Sequence, residues 1–141
     1  MSEQRNTLFN LLRKLDNSNS IIGGKVNKKE YLNELSLSKL SISPFGFGEI
    51  CYRNFESILN ECLLLKPNMS HLETYPDFFK ERITYIPLNW DLEDTILTIE
   101  KCLQDFDSYH SVIENAFNLL QSYHNDDSLF IDHFKKLVAN L

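Results

Sequence analysis

The run Leu63-Leu64-Leu65 places the strongest constraint on the fold. Successive side chains of a strand point to opposite faces, so three apolar residues in a row demand cover on both. That is the signature of a central strand in a parallel sheet with helices on each face. Lys66-Pro67 is expected to stop this strand. Further strands are predicted at Ser20-Ile21-Ile22-Gly23, at Leu40 and Ile42 alternating with serines into Pro44, and at Ile83-Thr84-Tyr85-Ile86 before Pro87.

Helical spacing fills the intervals. Leu8, Leu11, Leu12 and Leu15 predict a helix ending in the turn cluster Asp16-Asn17-Ser18-Asn19. Asn27 with Glu30 resembles a capping box, followed by Tyr31, Leu32 and Leu35 on an apolar side. Pro76 suits the first turn of a short helix through Phe79. Asp91 is expected to cap a helix with Leu92, Ile96, Ile99, Leu103 and Phe106 inward. Two C-terminal helices carry Tyr109, Val112, Ile113, Ala116, Phe117 and Leu120, then Phe130, Phe134, Leu137 and Leu141. Strands alternating with helices define an α/β domain with a parallel sheet.

The stretch Ser43–Glu56 carries the chemistry. A strand leads into a loop with Gly46 and Gly48, then into a helix. Glycines let a backbone approach a ligand closely, and the N–H groups at a helix start favour an anion. Glu49, Arg53, Glu56 and Asn60 are spaced to share one helix face, with Ile50, Phe55, Ile58, Leu59 and Cys62 turned to the other. Spacing alone equally allows a plain turn followed by surface ion pairs.

Composition narrows the function classes. At 141 residues the chain suits one domain with a well-buried core. A net charge of −6 argues against a broad nucleic-acid or anionic-membrane surface, and Lys25, Lys28 and Lys29 read as solvated surface. Cys51, Cys62 and Cys102 form no C-x-x-C pair and fit buried thiols. His71 with Glu73 is a weak candidate ligand pair, and His110, His124 and His133 are dispersed, so no metal site is predicted. With no secretory signal and no apolar run of transmembrane length, the expected compartment is the cytoplasm.

Segments 45–79 and 84–96 together resemble the C-terminal half of bacterial GT-B glycosyltransferases, similar to the group-1 and spore-maturation-type families. The likeness runs from roughly Gly23 to Tyr123 and centres on Gly46-x-Gly48-Glu49-x-x-x-Arg53-x-x-Glu56. It implies a Rossmann-like nucleotide-sugar-binding domain spanning residues 1–141, half of a GT-B fold. The family's N-terminal acceptor domain, and the domain's first strand, are expected outside this chain. The donor-binding residues it implies are Gly46, Phe47, Gly48, Glu49, Tyr52, Arg53 and Glu56. Loop amides and Arg53 would meet the diphosphate, and Glu56 the ribose hydroxyls. The implied reaction is metal-independent glycosyl transfer to a glycan, lipid-linked or protein acceptor. It needs no cofactor beyond the nucleotide-sugar, and the isolated chain is expected not to transfer. Relatives commonly have glycine where this chain has Glu61, and aspartate where it has Asn54. The competing reading is a non-catalytic acidic interaction module of the neutralising or immunity type.

Overall fold

A computed structural model describes residues 3–13 and 26–139. The strand expected at Ser20–Gly23, the turn at Asp16–Asn19, and Leu15, Lys25 and Leu141 lie outside the described residues. The elements are α1 (Glu3–Leu12), α2 (Lys28–Ser36), β1 (Leu40–Ile42), α3 (Tyr52–Leu59), β2 (Leu63–Pro67), β3 (Ile86–Leu88), α4 (Thr95–Gln104), α5 (His110–Asn125) and α6 (Asp127–Ala139). A single 3-10 turn, Phe106–Tyr109, joins α4 to α5.

The three strands form one parallel sheet in the order β1-β2-β3. The Leu63–Leu65 strand is central, as its apolar run requires, and every residue of β2 is buried. Leu63 and Leu65 enter one core with Leu8, Ile86, Leu88, Leu92, Ile99 and Val112. Leu64 enters a second core with Phe45, Ile58, Met69, Phe79 and Tyr85. Helices α1 and α4 pack together beside the first core, while α3 and α5 pack on each other and on β2. The result is a small α/β domain, broadly Rossmann-like in arrangement. Asn27 caps α2 as expected, its side chain accepting from the Glu30 N–H at 2.9 Å.

Several boundaries differ from the sequence reading. Strand β2 runs through Lys66 and Pro67. Strand β3 starts three residues late and includes Pro87, which an edge strand tolerates. Ile83 is instead half exposed in a tight turn. That turn is pinned by Thr84, whose hydroxyl accepts from the Lys80 N–H at 2.9 Å and donates to the Phe78 carbonyl. No helix forms at Pro76–Phe79; the chain there is irregular, and both Phe78 and Phe79 are buried in the second core. The helix expected from Asp91 starts at Thr95. Leu92 is fully buried in the left-handed region, with φ 64°, which breaks any earlier helix. The Asp91 carboxylate accepts instead from the Glu93 N–H at 3.0 Å.

On α4, Thr95, Ile99 and Cys102 take the buried positions and Leu103 is exposed. Helix α5 buries Val112, Ile113 and Ala116. Helix α6 buries nothing fully, and Phe130, Phe134 and Leu137 are more than half exposed. No helix among the described residues is long and apolar enough to cross a membrane.

Candidate functional site

In an open parallel sheet, ligands bind beyond the carboxyl ends of the strands. The loop 43–51 leaves the carboxyl end of β1 and carries Gly46 and Gly48 there. Neither glycine has a positive φ, so the loop does not need them for conformation. At Gly46 a Cβ would lie 2.7 Å from Arg5 Nη2, so a side chain there would displace the guanidinium. Around Gly48 the space is open, the nearest atom to a Cβ being the Ile50 carbonyl oxygen at 4.0 Å. The Gly46 N–H donates to the Gly48 carbonyl at 3.2 Å, closing a small turn.

The first turn of α1 reaches the same edge. Gln4 accepts from the Phe45 N–H at 3.0 Å and donates to the Trp90 carbonyl at 2.9 Å. One side chain thus spans the loops that follow β1 and β3, and Arg5 beside it lies against Gly46. The Phe45 and Trp90 rings meet edge to face at 5.2 Å, and His71 meets Trp90 at 4.9 Å.

Below the loop lies Lys66, fully buried. In strand alternation it shares a face with Leu64. Its ammonium donates to the Glu49 carbonyl at 2.7 Å and to Met69 Sδ at 3.1 Å, with the Phe45 and Phe79 rings 4.5 and 5.1 Å away. Burial lowers its pKa from 10.5 to about 8, with Cys51 and Glu49 acting in the opposite direction.

Helix α3 starts at Tyr52, so Glu49 stands in the loop and not on the helix. Two features keep it there: Cys51 is extended, at φ −144° and ψ 163°, and Lys66 holds the Glu49 carbonyl from β2. The packing face also differs from the one expected. Ile50 and Leu59 are exposed, while Asn54, Ser57 and Ile58 are buried. Ser41 of β1 and Ser43 just beyond it face α3, and buried hydroxyls need partners. Ser43 donates to Asn54 Oδ1 at 2.6 Å, and Ser57 pairs with Ser41 at 2.7 Å. The Cys51 thiol also reaches Asn54 Oδ1, at 3.5 Å, while Asn54 Nδ2 is buried with no hydrogen-bond partner among the described residues.

Of the predicted site residues, Gly46, Phe47, Gly48 and Glu49 form the loop, with Phe47 fully exposed. Tyr52, largely exposed, and Arg53, half-buried, follow in the first turn of α3. Glu56 stands one turn further on and accepts from the Tyr31 hydroxyl of α2 at 3.0 Å. Burial, then the Glu56 hydrogen bond, raise the Tyr31 pKa, and Arg53 opposes them. Among the described residues the ion pairs within 4 Å are Glu81–Arg82 and Asp107–His110, so Arg53 pairs with neither Glu49 nor Glu56. Glu61 reaches solvent and sits in the left-handed region, with φ 55°, where glycine is at ease.

Gln4, Arg5 and Lys66 escape a linear reading because their roles are tertiary. The sequence signal for Lys66 was its place directly after the Leu63–Leu65 run, where a strand end was expected. All three cysteines are free thiols, with Cys62 and Cys102 buried and Cys51 half-buried. Among the described residues no three His, Cys, Asp or Glu side chains gather at metal-binding distance. No protein-family model and no curated protein sequence matches this chain.

Proposed function

We propose that this chain is the donor-binding domain of a GT-B-type glycosyltransferase, holding a nucleotide-sugar at the carboxyl edge of its sheet. The observation that carries the reading is the Arg5 guanidinium set against Gly46, in the space a Cβ would occupy. A diphosphate over this loop would meet backbone N–H groups, the first turn of α1 and the forked donors of Arg5. Arg53, in the first turn of α3 and beside Tyr31, would supply a second fork. Glu56 uses Oε2 for Tyr31, leaving Oε1 to accept from a ribose hydroxyl.

Arg5 against Gly46 and Lys66 beneath the same loop, in a chain of net charge −6, favour an anionic ligand over the basic partner that an acidic interaction module would take. Transfer itself needs an acceptor held in line, which contributes roughly 7–11 kcal/mol in favourable cases. The chain alone is therefore a binder and not a transferase.

Calorimetric titration with uridine and guanosine diphosphates tests the reading. Arg5→Ala and Arg53→Ala should each weaken binding about ten- to hundredfold, the loss of one charge-assisted contact. Glu56→Gln should cost less, and nothing for free phosphate. Affinity unchanged in all three variants would end the proposal.

A further inference from the structure

Lys66 grips the glycine loop at both ends. Before the first glycine, the Phe45 ring lies against the ammonium, 4.5 Å from Nζ to the ring centre. After the second, the Glu49 carbonyl accepts from the same nitrogen at 2.7 Å. Met69 Sδ at 3.1 Å and the Phe79 ring at 5.1 Å tie that nitrogen to the chain that follows β2. Among the described residues no carboxylate lies within 4 Å of it. Lysines are almost never fully buried unless paired, and a buried charge without a partner weakens a fold. Its presence under a candidate binding loop therefore points to function.

We propose that Lys66 is a positioning residue: held between the Phe45 ring and the Glu49 carbonyl, its ammonium fixes the Gly46–Gly48 turn in the form that receives the phosphates of a nucleotide. The functional half of this inference rests on the donor-binding reading above; the positioning half does not. With a pKa of about 8, the clamp is charged at neutral pH and discharged in mild alkali. The titratable groups facing it are Glu49 and Cys51 from the loop and the start of α3. Tyr85, whose hydroxyl accepts from the Met69 N–H, His71, 6.1 Å from the Phe45 ring, and Arg5 against Gly46 lie nearby among the described residues.

Trp90 is the sole tryptophan and packs on Phe45, so its fluorescence reports on the loop. The full-length chain carrying His71→Gln, which removes the histidine touching Trp90, is titrated from about pH 7 to 9.5, across the lowered lysine pKa. Emission should change with a midpoint near 8, and adding Lys66→Met should abolish the change. In parallel, uridine diphosphate affinity should fall about tenfold in the wild type over that range, since its phosphate ionisation near pH 6 lies below it. Lys66→Met should bind about tenfold more weakly at pH 7 and show no pH dependence. A flat Trp90 signal, or equal nucleotide affinity with and without Lys66, overturns the proposal. If the wild type binds no uridine diphosphate, the functional half falls with the donor-binding reading, and the Trp90 titration decides the positioning half.

Discussion

Replacing Lys66 by methionine should leave the fold as stable as the wild type or more so, against the usual cost of changing a fully buried residue. The ammonium titrates at about 8 in the fold against 10.5 free. At pH 7 its charge therefore costs the native state about 3 kcal/mol. Methionine keeps the stem and removes the charge, but strands the Glu49 carbonyl, at about 1–3 kcal/mol. The net expectation at pH 7 runs from no change to about 2 kcal/mol of stabilisation.

The sign with pH is fixed. The unfolded chain keeps this proton up to 10.5 and the folded chain only to about 8, so unfolding takes up a proton between them and wild-type stability rises with pH. The wild type should gain about 1.3 kcal/mol on the variant between pH 7 and 9. Urea unfolding of both proteins at pH 7, 8 and 9, followed by Trp90 emission, measures the difference. A variant destabilised by more than about 2 kcal/mol, by a pH-independent amount, would mean that the ammonium holds the fold itself, as partners of buried pairs do.

Three further outcomes follow from individual residues. Glu61→Gly should stabilise by about 1 kcal/mol in urea unfolding, because φ 55° strains any side chain; a loss of stability would show that the glutamate earns its place through contacts. Burial raises the Cys62 pKa from 9.0 to about 11, so its stabilising effect is whole below pH 9 and disappears as pH climbs toward 11. That is about 2.7 kcal/mol, and Cys62→Ala should show a shallower alkaline decline; an identical slope would refute the assignment. Gly46→Ala should unfold at nearly the wild-type urea concentration, since the clashing atom is the mobile end of Arg5. Its nucleotide affinity should nonetheless drop with the displaced guanidinium, and a variant that keeps full affinity would remove Arg5 from the site.

The sheet was legible where local pattern and tertiary demand coincide. Leu63–Leu65 could only be central, and Asn27 could cap α2 from its own neighbours. Misreadings fall where distant residues decide. Asp91 has a capping residue's chemistry, yet the left-handed Leu92 delays the helix to Thr95. The polar stripe on α3 was read from spacing, but which face packs was set by Ser41 of β1 and Ser43 after it, which draw Asn54 and Ser57 inward. Those serines were visible in the alternation of β1, and their need for buried partners was the overlooked clue. The glycine loop was found at the predicted edge, whereas Gln4, Arg5 and Lys66 reach it across 41 or fewer residues of chain that no short motif spans.

The most direct test of the central claim is a crystal structure of the full chain soaked with uridine or guanosine diphosphate. The donor-binding account predicts a diphosphate over Gly46–Gly48, within hydrogen-bonding distance of the loop N–H groups and of Arg5, with the ribose toward Glu56. Nucleotide bound elsewhere on the surface, or absent under saturating conditions with this loop open to solvent, would contradict it.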